Sequence, residues 1–241
     1  MITRSEAIVL RVVRYSDTRW LVDMLTREWG RCTFVCTVSK RGKGLQLRNL
    51  LQPLTQLDIQ TDYRARQDVQ RLDDAQIAYP YFSFTSQLEK LSVGLFLAEL
   101  LYYSTRATAR DEGLFDFIAT YLRWFDQSEQ GVANFHLLFV VQLAKRLGLF
   151  PNVEDYAEGW VFDLRDAVFT PTVPAHADFV PTAEAVHLIR LLRMSVENYR
   201  HFRLSHAERN RILDYVLLYY RLHVPGFPEL KSLEVVRQLY V

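Results

Sequence analysis

The sequence predicts an α+β chain of two domains. A small closed β-barrel over about residues 1–79 is followed by an all-α domain over about 80–241, with a short irregular or hairpin insert at about 151–181. Three observations carry this. Hydrophobicity alternates with period two through the first sixty residues, the period changes to helical near Pro80, and the charge is unevenly divided. Residues 1–66 hold twelve Lys/Arg against six Asp/Glu, a net +6, while the remainder is −5 within a chain of net charge +1. A polyanion is attracted to the first part and mildly repelled by the second.

The strands come first. Ile8, Leu10 and Val12 alternate with Val9, Arg11 and Val13. After a turn at Ser16-Asp17-Thr18, Trp20, Val22 and Met24 alternate with Leu21, Asp23 and Leu25. Arg27-Glu28-Trp29-Gly30 reads as a hairpin turn, because Gly30 takes positive φ without steric cost. Cys32, Phe34, Cys36 and Val38 then share one face, opposite Arg31, Thr33, Val35 and Thr37, the pattern of a half-buried strand. A basic loop, Ser39-Lys40-Arg41-Gly42-Lys43-Gly44, leads to a last alternation over residues 54–60. Short strands between closely spaced turns suit a small barrel.

The helices follow. Ser86-Gln87-Leu88-Glu89 has capping-box spacing and opens an apolar helix to about Thr105, placed at the centre of the core. Its Leu88, Leu91, Leu95 and Tyr102 lie along one side. Further helices are read at about 113–126 and at 132–147, the latter ended by Gly148 and Pro151. Residues 151–181 carry four prolines, and Trp160, Phe162 and Leu164 alternate as a short hairpin would. Thr182 caps a helix bearing Ala185, Ile189, Leu192, Val196 and Tyr199. Ser205-His206-Ala207-Glu208 is a second capping box, opening a helix to Arg221, and residues 230–240 form a short last helix.

Several chemistries lack their residues. There is no Gly-x-Ser-x-Gly elbow, no phosphate-binding glycine loop of the nucleotide-binding kinds, and no run of about 18 apolar residues that would span a membrane. The first residues lack the apolar core of a signal peptide. With two cysteines there is no disulfide framework, and a reducing cytoplasmic setting is expected. Cys32 and Cys36 share a strand face at about 13 Å spacing, too far for one zinc ion. The adjacent acids Asp73-Asp74 and Asp111-Glu112 suit element ends rather than a metal-dependent active site. No catalytic residue, cofactor or metal is expected. Nucleic acid is the expected ligand, gripped through Arg11, Arg14, Arg31, Lys40, Arg41, Lys43 and Arg48, with Tyr15 as a neighbouring aromatic. An RNA- or tRNA-binding adaptor and a protein-only scaffold are the alternatives.

The segment EAIVLRVVRYSDTRWLVDMLTREWGRCTFVCTVSKRGKG, residues 6–44, followed by LLQPL at 50–54, resembles the N-terminal domain of the bacterial RecO recombination-mediator family. Thr26, Glu28 and Gly30 match one of its elements and Leu51-Gln52-Pro53 another. AKRLGLFPN at 144–152 is similar to a helix end in the family's helical domain, and DAQIAYPY at 74–81 followed by FLAELLYYSTR fits its domain junction. The resemblance spans essentially the whole chain. It implies an OB-fold, binding of single- and double-stranded DNA, and annealing of complementary strands. It also implies partnership with RecR and with the C-terminal tail of single-strand DNA-binding protein in loading RecA. An acidic, phenylalanine-ended tail wants an apolar pocket rimmed by bases, for which Lys145, Arg146, Arg190 and Arg193 are candidates. Many family members carry a four-cysteine zinc finger after the 144–152 segment. Here residues 152–181 contain no cysteine, so no zinc site is expected.

Overall fold

A strand covered on both faces reads as an unbroken apolar run, and the first strand does so at Ala7–Leu10, all buried. This strand, β1 (Thr3–Arg14), pairs antiparallel with β2 (Arg19–Thr26) along its second half and with β4 (Gln56–Thr61) along its first. The computed structural model describes residues 2–149 and 156–239. Ala7 and Val9 enter the core of the curled sheet beside Val22, Met24, Phe34 and Ile59. Ile8 and Leu10 face the other way, the side on which the helix α2 (Leu88–Ser104) packs against β1.

The even alternation expected for β1 is interrupted. Val9 pairs with Met24 but Arg11 pairs with Asp23, so Leu10 is an extra residue, a β-bulge. Beyond it Val12 opposes Val22 and Arg14 opposes Trp20, both core-side residues. The bulge therefore keeps Arg11 outward and brings Arg14 to the core side. Without it the two would be exchanged, because a one-residue slip moves every side chain to the other face.

β2 turns into β3 (Gly30–Thr37) at Gly30, whose φ is +69°. The segment after β3 departs from expectation. Residues 42–50 are a helix, α1 (Gly42–Leu50), not the tail of a flexible loop. Leu47 and Leu50, three apart, pack against the sheet core, and burial of that face holds a sequence whose Leu-x-Leu spacing mimics a strand. A Cβ at Gly44 would collide with Ser39, so the tight entry to the helix needs glycine.

β4 is followed by β5 (Val69–Arg71) and β6 (Asp74–Tyr79), and the sheet order is β5-β3-β2-β1-β4-β6. Six flat strands would put the outer two about 24 Å apart. Arg71 and Asp74 are three residues apart and can be separated by no more than about 11 Å. The sheet is therefore curled until its edges meet. Leu72 N–H donates to Val35 O, and Asp73 N–H to Gln60 O, as the chain crosses from one edge to the other. Among the described residues no ladder joins β5 to β6, so the sheet is curled but is not the closed barrel expected.

The first compact unit, Met1–Gln127, also includes α2 and α3 (Glu112–Gln127). No capping box opens α2. The residue at its N-cap is Gln87, and Ser86 Oγ donates back to Ser83 O. Its Leu88, Leu91 and Leu95 are exposed, and the buried face is Val93, Phe96, Leu97, Leu100 and Leu101 instead. Asp111 accepts from Leu114 N–H at the start of α3, which accounts for that acidic pair. The buried Asp126 carboxylate accepts the backbone N–H groups of Phe82, Ser83 and Phe84 at 2.7–2.9 Å, and Lys90 Nζ donates to Asp126 O.

The second unit, Ser128–Val241, is helical with a small sheet. α4 (Val132–Arg146) precedes Gly148, at φ +72°. Residues 150–155, part of the expected insert, lie outside the described residues, as does Tyr240. The hairpin exists as β7 (Val161–Asp163) and β8 (Val168–Thr170), with β9 (Phe179–Val180) added on the far side of β7. α5 (Thr182–Leu192) stops seven residues before Tyr199. Asn198 ends the run by accepting Ser195 N–H and donating to Arg193 O, so Val196 and Tyr199 are not on the helix. Thr182 is the first helical residue, with Pro181 at the cap. α6 (His206–His223) opens on the expected capping box, with both the Ser205 and Glu208 bonds formed, and α7 (Leu233–Arg237) is shorter than its sequence signal.

Candidate nucleic-acid interface

The outward face of the curled sheet aligns Arg11, Asp23 and Thr33 across β1, β2 and β3. Asp23 accepts from Thr33 Oγ1 at 2.6 Å and lies 4.0 Å from the Arg31 guanidinium. Tyr102, from the last turn of α2, meets this row. Arg11 Nη1 donates to Tyr102 Oη at 2.8 Å. The guanidinium carbons of Arg31, Arg11 and Arg106 stand 4.6, 4.9 and 5.5 Å from the Tyr102 ring centre, within cation–π range. Arg106 also reaches Tyr103, at 5.7 Å.

These three arginines are not equivalent. Arg31 is the enclosed one, its side chain 13 % exposed, with Nη1 directed at Tyr102 O and Thr105 Oγ1. Burial lowers its pKa, with a further lowering from the charges of Arg106 and Arg11. Arg11 and Arg106 are exposed. The hydrogen bond with Tyr102 raises the pKa of Arg11. Two guanidinium groups thus face solvent on an aromatic floor that the third holds in place.

A second cluster stands on the core side of β1. Arg14 from β1 and Arg48 from α1 sit 5.2 and 5.6 Å from the ring of Trp20, which is itself buried. Lys40 and Arg41 are exposed between β3 and α1, where Ser39 Oγ donates to Arg41 O at 2.6 Å. Lys43, on the first turn of α1, lines a groove of about 1070 Å³ together with Arg19, Thr37, Arg71, Asp73 and Asp74. Arg71 pairs with Asp73 at 3.4 Å.

The seven basic residues expected to form one groove therefore divide. Arg11 and Arg31 lie on the outward face, Arg14 and Arg48 at Trp20, and Lys40, Arg41 and Lys43 around the entry to α1. Tyr15 is 74 % exposed beside the β1–β2 turn. Sequence reasoning passed over Tyr102, Arg106, Arg19 and Arg71. The first two are four apart at the end of α2, but Arg106 lies past the helix, so only the fold brings it to the ring.

In the second unit a pocket of about 320 Å³ has Leu191, Phe202 and Ile212 among its walls and His187, Arg190, His201 and Arg203 around it. Of the four expected rim residues Arg190 lines it. Lys145 and Arg146 occupy the last turn of α4, and Arg193 follows the end of α5. Burial lowers the pKa of Lys145.

Among the described residues no three His, Cys, Asp or Glu side chains are grouped as metal ligands, and no helix is long and apolar enough to cross a membrane. Cys36 is buried and its thiol is pushed up to about 12 by burial, so it behaves as a core hydrophobe.

A curled sheet followed by helices, with arginines set over aromatic rings, makes this an α+β protein with a basic N-terminal part. The family model "Recombination protein O N terminal" matches residues 1–81, and "Recombination protein O C terminal" matches residues 85–234. The chain belongs to the RecO family of DNA repair proteins. Proteins named DNA repair protein RecO from Phocaeicola vulgatus, Bacteroides fragilis and Porphyromonas gingivalis are similar to it at 38, 37 and 36 % identity, with 100 % of each chain covered.

Proposed function

We propose that this chain is a non-enzymatic, cytoplasmic mediator. It binds single- and double-stranded DNA, anneals complementary strands and, with RecR, helps load RecA on DNA coated with single-strand DNA-binding protein. The observation that carries the reading is the set of guanidinium groups, exposed at Arg11, Arg14 and Arg106 and half-buried at Arg48, that lie over Tyr102 and Trp20 in the first unit. Stacked arginines keep their charge while losing little freedom on meeting a phosphate. Annealing needs no bond chemistry. Neutralising phosphates releases counterions and lowers the repulsion between two strands.

The division of labour follows the charge. Residues 1–79 supply the grip, through Arg11, Arg14, Arg31, Lys40, Arg41, Lys43 and Arg48, and residues 80–241 supply partner surfaces. The pocket at Arg190 has the composition wanted by an acidic, aromatic-ended tail, with apolar and basic residues in its lining.

The test is annealing of complementary strands coated with single-strand DNA-binding protein, with and without this chain. Reversing Lys40, Arg41 and Lys43 to Glu should reduce the salt slope of single-strand binding by about 2, at roughly 0.7 for each phosphate no longer neutralised. An unchanged slope would remove the α1 entry from the interface. Failure to bind DNA at all would favour a protein scaffold, and preference for RNA at fixed salt an RNA adaptor.

A further inference from the structure

The basic residues of the first unit stand on two faces of one strand, and the β1 bulge is what separates them. Arg11 projects outward to Tyr102, and Arg14, three residues on, projects to the core side over Trp20. Three residues of strand span about 10 Å. A phosphate held against Tyr102 and one held against Trp20 are therefore on different sides of the sheet.

The outward cluster has the build of an anion site. Three guanidinium groups converge on one ring within 5.5 Å, bringing three like charges close together. The carboxylate lying against them, Asp23, is engaged by Thr33, stands 4.0 Å from Arg31 and faces Arg11 across the strands, so it offsets part of the positive charge and leaves three guanidinium groups to one carboxylate. Arg11 and Arg106 remain exposed. A phosphodiester between them would accept from both forks and relieve the repulsion. The Tyr102 ring is itself buried under these arginines, and the half-buried Tyr103 beside Arg106 is the aromatic nearest to solvent for a base or sugar. The second cluster repeats the plan with Arg14 and Arg48 over Trp20.

We propose that Arg11 and Arg106, floored by Tyr102 and positioned by Arg31, form a phosphodiester-binding site separate from that of Arg14 and Arg48 over Trp20, so that one chain holds two nucleic-acid strands on opposite faces of β1. This rests on the DNA-binding reading above and deepens it. The outward site depends on Arg106, which belongs to the segment after α2 and not to the strand-rich third. Two strands held by separate sites are kept at high local concentration without competing for the same cations.

The experiment counts strands. A short labelled homopolymeric single strand is titrated into the full chain at low salt, and the stoichiometry is read by fluorescence and by mass under native conditions. Three forms are compared: the parent, Arg11→Gln/Arg106→Gln, and Arg14→Gln/Arg48→Gln. The parent should bind two strands per chain and each double variant one. The annealing rate should fall at least tenfold in both variants. Arg106→Gln alone, at an exposed position, guards against a folding defect and should weaken one of the two binding events by about tenfold. One strand per chain in the parent, weakened in both variants, would overturn the proposal in favour of a single strand passing round the sheet. Two strands retained in Arg11→Gln/Arg106→Gln, with only thermal stability reduced, would assign the outward cluster to holding α2. No strand bound by the parent would overturn the DNA-binding reading itself.

Discussion

His136 lies within α4, fully buried, and that burial sets how the second unit responds to acid. Desolvation pushes its pKa down to about 3, with a smaller lowering from the charge of Arg209. In the unfolded chain a histidine titrates near 6.5. Between those two values the unfolded state binds a proton that the folded state refuses. Stability therefore rises with pH across this window and is lost as pH falls below about 6.5, by up to about 1.4 kcal/mol per unit. From neutral pH to pH 5 the loss works out at about 2 kcal/mol, since the 1.5 units below 6.5 all lie above the folded value. Keeping above pH 5 leaves out the carboxylates Glu197, Glu208 and Asp62, each held below its ordinary value by local hydrogen bonds. The assay is urea unfolding at pH 7.5 and pH 5.0, followed by far-ultraviolet circular dichroism, on the parent and on His136→Leu. The parent should lose about 2 kcal/mol more than the variant on acidification. Equal losses would refute burial of a neutral imidazole as the cause.

Other perturbations have comparably direct readouts. Asp126→Ala strips three backbone N–H groups of their shared acceptor in a buried site, and thermal melts should show a loss of about 3–5 kcal/mol. Ser205→Ala removes the capping box of α6 and should cost about 1 kcal/mol by the same measurement. Cys36, with its thiol near 12 and no solvent access, should stay unmodified by a thiol reagent at pH 8 until the chain is unfolded, as mass spectrometry would show. Metal analysis of the purified protein should find no stoichiometric zinc, as expected of an insert without cysteines.

Local pattern was enough for the elements whose neighbours agree with them. The half-buried face of β3, the Gly30 turn, the Gly148 helix end and the Ser205–Glu208 box each follow from side-chain period or a single backbone preference. The charge count likewise identified the basic third, because net charge needs no geometry. Where two conformations are locally close in energy, packing chose. Leu-Gln-Leu-Arg-Asn-Leu at 45–50 is a helix because Leu47 and Leu50 reach the sheet core. Val196 and Tyr199 keep helical spacing but leave the helix because Asn198 captures the backbone.

The site shows the same division. Composition alone determined that this protein carries its excess positive charge in the first 66 residues, and alternation alone determined that Arg11, Arg14 and Arg31 would be carried on strands. Which of those charges act together was decided only by the folded chain. An extra residue at Leu10 reverses the side-chain parity of β1, and no alternation rule registers a bulge until the partner strand is in place. Arg106, forty residues past the basic third, joins Arg11 because α2 packs across β1, and a meeting of residues 95 apart in sequence exists only in the tertiary structure.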